Sequence, residues 1–79
     1  MGKLNIISAK KMIKILLLIG FELIRSKGSH YFFLNKTSNK TTVIPVHNNE
    51  DLGPGILKDI LRDIEISIDE YEKLRRNIR

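Results

Sequence analysis

Within six residues the chain places two cations, Arg25 and Lys27, then Gly28, the hydroxyl of Ser29 and the imidazole of His30. Imidazole changes charge close to neutral pH, so a histidine can take a proton from a substrate without elaborate tuning. Two neighbouring cations suit a phosphate. This combination fits RNA strand cleavage, because RNA carries its own nucleophile, the 2′-hydroxyl beside the scissile phosphate. The protein then has to accept one proton, hold the geometry and stabilise charge on the phosphorane. Arg25 and Lys27 would face the phosphate oxygens, and Gly28 would let the RNA backbone approach closely. His30 also has a plain structural reading, a histidine at a strand start bonded to a carbonyl, and spacing alone leaves both open.

Other chemistries have less to work with. There is no cysteine, which removes disulfides and thiolate metal sites and is compatible with a reducing cytosol. The two histidines, His30 and His47, have no carboxylate close in sequence to His30, so no metal site is expected. Ser29 and His30 are neighbours at a strand start, where adjacent side chains diverge, which argues against a serine–histidine–carboxylate triad. No glycine-rich loop leads into a helix as nucleotide-phosphate binding requires, and no cofactor is expected.

The elements that must position these residues are legible from patterning. Ser8 is a good N-cap for a helix over residues 9–19, with Ala9, Met12, Ile13, Leu16, Leu17 and Ile19 as its buried face. Lys10, Lys11 and Lys14 lie opposite, and Gly20 ends the helix in a left-handed conformation. Leu18 falls among those lysines, as a scattered surface leucine or as a partner contact. Strands follow over about 21–27 and 30–35, joined at Gly28, and a third over 41–46 after a polar loop. Pro45 places the third strand at an edge or at its end. Alternation is poor: Tyr31 and Phe33 point one way, Phe32 and Leu34 the other. Either both sheet faces are covered within the chain or one awaits a partner.

His47 then ends the third strand and opens a loop. Pro54 suits the first turn of a second helix whose stripe is Leu57, Ile60, Leu61 and Ile64. Ser67–Ile68–Asp69–Glu70 reads as a capping box, stapled by Ile66 and Tyr71, opening a short last helix that frays after Leu74. Helix, three antiparallel strands and helix make a small α+β, two-layer α-β-β-β-α sandwich with a short extra C-terminal helix. That order is also the one of the double-stranded-RNA-binding domain.

The 79 residues are expected to form one domain, residues 1–79, near the lower size for a core without staples. The apolar run at 12–19 is too short to span a bilayer, so no membrane association and a cytoplasmic location are expected. Residues 1–49 carry eight Lys/Arg against one acid, a charge of +7, whereas 50–79 carry six against eight, or −2. A basic half suggests a face for a polyanion, although surface lysine for solubility accounts for the charge equally well.

The set Gly20–Phe21, Arg25, Lys27–Gly28–Ser29–His30, Pro45–Val46–His47, and the stripe around Ile56–Leu57 and Ile60–Leu61 resembles HicA toxins, the small mRNA interferases of HicA–HicB toxin–antitoxin pairs. The resemblance covers nearly the whole chain. It implies a fold similar to the double-stranded-RNA-binding domain, ribosome-independent cleavage of mRNA and a catalytic histidine matching His30. It also implies a HicB-like antitoxin that masks the site. RNA contacts would come from Arg25, Lys27, Gly28, Ser29 and His47. For His47 a general acid, a phosphate ligand and a structural bond to the loop are all open, with the binding or structural role favoured. Two other classes remain: a non-catalytic RNA-binding module, and a protein-interaction domain built on the apolar sheet face.

Overall fold

A computed structural model describes residues 4–48 and 50–78. It contains α1 (Ala9–Leu18), β1 (Glu22–Lys27), β2 (His30–Asn35), β3 (Lys40–Pro45), α2 (Pro54–Ile64) and α3 (Ile68–Asn77). The strands form one antiparallel sheet in the order β1-β2-β3. This is the α-β-β-β-α layout with a further C-terminal helix that the patterning predicts.

Ser8 caps α1, its Oγ accepting the Lys11 N–H at 3.2 Å. At the other end Gly20 adopts φ +100°. The Gly20 N–H donates to Leu17 O at 3.3 Å and the Phe21 N–H to Leu16 O at 2.9 Å. These are the paired bonds of a Schellman stop, with Phe21 and Leu16 both buried as its apolar contact. The Asn35 side chain closes the same corner. Its Nδ2 donates to Ile19 O at 3.3 Å, and its Oδ1 accepts the N–H groups of Thr37 and Ser38 at 3.0 and 3.2 Å. One amide thus ties the end of α1 to the β2–β3 turn.

The buried face of α1 is Ala9, Met12, Ile15 and Leu16, with Ile13 and Ile19 at its margin. The predicted face included Leu17 and omitted Ile15, but Leu17 is 54% exposed. Residues 15–19 are all aliphatic, so hydropathy alone could not set the angle of the face. Packing set it: α1 lies against both β3 and α3, which rotates the buried arc toward Ile15.

Among the described residues, only one face of the sheet is covered. Phe33, Thr42 and Ile44 are buried there, and the Thr42 hydroxyl donates to Asp63 Oδ2 of α2 at 2.9 Å. Leu57, Ile60, Leu61 and Ile64 are all buried, as their spacing predicts. The opposite face stays open, and β1 is exposed along its whole length. Of the two explanations for poor alternation, the uncovered face is the one the fold adopts. A bulge between Leu23 and Arg25 adds to the irregularity by inserting Ile24 into β1 without a partner in β2.

Residues 66–78 depart most from expectation. Ser67 caps α3 by accepting the Glu70 N–H at 3.1 Å, but the helix runs to Asn77 rather than fraying after Leu74. Glu72 accepts from Arg75 at 2.7 Å and from Asn5 Nδ2 at 3.1 Å, and Leu74 and Ile78 rest on the core. Residues 4–7 form a strap held on two sides. The buried Tyr71 donates its hydroxyl to Asn5 O, and the Leu52 N–H donates to Ile7 O at 2.8 Å. The Arg75 guanidinium, chiefly through its hydrogen bond, holds the Glu72 carboxyl below the usual carboxylate range. Burial, then the Glu72 charge, pushes Tyr71 from 10.0 up to about 12.

Two stability predictions follow from this packing. Leu61→Ala should cost about 2–5 kcal/mol in denaturant unfolding; a change below about half a kcal/mol would place the stripe away from the core. Tyr71→Phe should cost about 1 kcal/mol at neutral pH. Because the folded state keeps the Tyr71 proton longer than the unfolded chain, that contribution is complete below pH 10.0 and fades as pH rises through about 12. The gap between parent and Tyr71→Phe should therefore narrow across this window, and a gap constant with pH would remove Tyr71 as its source.

Candidate functional site

The β1–β2 connection is the two-residue loop Gly28–Ser29. Gly28 has φ +59°, whereas Ser29 is not among the positive-φ residues, the pattern of a type II′ hairpin turn. A Cβ at Gly28 would meet nothing within 4 Å, so glycine is required there for its backbone angle, with open space above it. This turn fixes the register: Lys27 pairs with His30, Ser26 with Tyr31 and Arg25 with Phe32. On the other side of β2, His30 pairs with Pro45 and Phe32 with Val43.

Two adjacent rows therefore share a face, Lys27–His30–Pro45 and Arg25–Phe32–Val43. It is the face turned away from the helices, since the intervening Tyr31–Ile44 pair points into the core. His30, Lys27 and Arg25 are exposed. Among the described residues none of the three makes an ion pair or a side-chain hydrogen bond. The carbonyl-bonded histidine of the structural reading is not what the chain forms. Arg25 is held instead by an aromatic ring, its Cζ lying 4.5 Å from the Phe32 centroid. The one acid of β1, Glu22, sits at the far end of the strand and pairs with Lys36 at 3.4 Å.

Ser29 is half-buried and works through its backbone, its carbonyl accepting the Val46 N–H at 2.7 Å. That bond draws the segment after β3 alongside the turn. β3 ends at Pro45, one residue short of the predicted 41–46: the pairing passes to the Val46 N–H, and His47 follows as an exposed loop residue. The His47 carbonyl accepts the Glu50 N–H at 2.9 Å, while its imidazole has no partner among the described residues. Farther on, the loop reaches the start of α1 through the Leu52–Ile7 bond and the Ser8–Asp51 bridge. The first turn of α1 brings exposed Lys10 and Lys11 to this end of the molecule, and neither is in an ion pair among the described residues.

The fold thus gathers Arg25, Lys27 and His30 on one surface, with Gly28 and Ser29 shaping the turn and His47 beside it rather than on the sheet. Phe32, which its residue type alone does not single out, lies beneath the Arg25 guanidinium. Counting back from a two-residue Gly28–Ser29 loop would have found it, since that register sets residue 25 opposite 32. Among the described residues no three His, Asp or Glu side chains converge as metal ligands. None of the described helices is long and apolar enough to cross a membrane. A cavity of about 260 Å³ lined by Phe21, Asn35, Lys40, Glu65 and Leu74 lies at the other end of the sheet, away from His30.

Compared with curated proteins, the chain finds no significant match. A family model described as the HicA toxin of bacterial toxin–antitoxin systems matches residues 9–66, which takes in α1, the whole sheet, the Gly28–Ser29 turn and α2. Such a toxin has a cognate antitoxin, and the protein belongs to the HicA toxin family.

Proposed function

We propose that the protein is a metal-independent endoribonuclease acting on mRNA, with His30 as the general base. The observation that carries this reading is an exposed, unpartnered imidazole at the mouth of a glycine turn, with Lys27 directly across the strand pair and Arg25 one row away. His30 removes the proton from a 2′-hydroxyl. That oxygen attacks the adjacent phosphorus as the bond to the 5′-oxygen breaks, leaving a 2′,3′-cyclic phosphate and a 5′-hydroxyl. The leaving oxygen is protonated by water or by His47. Lys27 lies nearest to the phosphorane charge, and among the described residues no acid pairs with it. The open sheet face is also what a HicB-like antitoxin would cover to silence the protein, and a partner acidic enough to match Lys27 and Arg25 suits it.

The test is incubation of a labelled RNA with the purified protein in chelator, with His30→Ala in parallel. Cleavage should persist in chelator and yield 2′,3′-cyclic phosphate ends. His30→Ala should lose it by about 10²-fold or more while keeping its fold and most RNA affinity. Products with 5′-phosphate ends would indicate an activated water instead. Cleavage retained in His30→Ala would remove the imidazole from the chemistry. If RNA is bound yet never cut by the parent, the protein is a non-catalytic binding module.

A further inference from the structure

The arrangement of Arg25 does not match that of a simple phosphate ligand. A phosphate-binding arginine is ordinarily aimed by its fork of N–H donors. Here the guanidinium lies over the Phe32 ring, 4.5 Å from its centroid. Arg25 is exposed and makes no ion pair or side-chain hydrogen bond among the described residues, so the ring is its only anchor. A guanidinium seated over an aromatic ring is restrained at its planar, cationic end, and that plane is a surface a further ring can stack on. Unstacked nucleic-acid bases are recognised on surfaces of that kind.

Position supports the same use. Phe32 is two residues along β2 from His30 on the same open face, about 6.6 Å away by strand rise. A nucleotide whose phosphate lay at His30 would set a neighbouring base over Arg25. Ile24 and Val43, 50% and 37% exposed, adjoin the Arg25–Phe32 pair and provide apolar flanks for the edges of a base.

Resting on the ribonuclease reading above, we infer that Arg25, held by Phe32, is a stacking shelf for an unpaired base beside the scissile phosphate. The substrate is therefore single-stranded RNA, because a base stacked within a duplex cannot reach the shelf. Arg25 is a specificity-determining residue through its plane, while Lys27 supplies the charge at the phosphate.

The experiment measures binding of the parent chain to 2′-O-methyl RNA, whose capped nucleophile keeps it intact. Three probes are compared by fluorescence anisotropy: a short single strand, the matching duplex, and a single strand with abasic sites. The single strand should bind about tenfold more tightly than either of the others, the loss typical of one stacked base. Arg25→Lys retains the charge and removes the plane. It should lose the same factor on the single strand and almost nothing on the abasic probe, with an unchanged salt slope. Phe32→Leu, shown folded by its thermal melt, should behave likewise. Equal binding of abasic and intact strands, or an Arg25→Lys that binds like the parent, would overturn the shelf while leaving the ribonuclease reading intact if the parent still cuts unmodified RNA. Duplex binding as tight as single-strand binding would also overturn it. Failure to bind any RNA would overturn both and leave the open face to a protein partner.

Discussion

A three-stranded sheet in a chain of 79 residues has enough apolar side chains to cover one face, and that asymmetry governs everything else in the molecule. The fully buried residues Met12, Ile15, Leu16, Phe33, Ile44, Leu57, Ile60 and Tyr71 come from α1, the inner sheet face, α2 and α3. They form one layer between helices and strands. The outer sheet face has no covering element among the described residues, and so its side chains are available to a substrate or partner. A second covering layer would have hidden His30.

One-sided burial also demands that the register be held by something other than packing on the open side. Three local devices do this. The Gly28–Ser29 loop sets the β1–β2 pairing, the Asn35 amide ties the β2–β3 turn to the end of α1, and the Ser29–Val46 bond brings the chain after β3 back to the hairpin tip. A slip of one residue in β2 would exchange Phe33 for Phe32 in the core and turn His30 inward. The same devices that protect the core therefore also aim the candidate catalytic side chain.

Charge is arranged with the same polarity. Four of the eight acids in the second half of the chain are engaged within the fold: Asp59 with Arg62, Glu65 with Lys40, Glu72 with Arg75, and Asp63 with the Thr42 hydroxyl. Lys10, Lys11, Arg25 and Lys27 have no such partners among the described residues, and they lie toward the hairpin end or on the open face.

Much of this was legible in the residues alone. The order of elements, the α2 stripe, the Ser8 and Ser67 caps, the Gly20 stop and the family resemblance all rest on local signals that neighbours in sequence carry. Local signals could not orient α1, whose run of aliphatic residues suits several angles and turns Leu17 inward as readily as Ile15. Nor could they extend α3 beyond Leu74, since what holds that helix is Asn5 and the core, both distant in sequence. For the site, the residue types at 25–30 suggested a phosphate and a proton acceptor. That Arg25, Lys27 and His30 share one uncovered face, with Phe32 beneath the guanidinium, was decided by cross-strand register and by which side the helices chose. Both are long-range outcomes of burying a single apolar layer, and no window of sequence contains them.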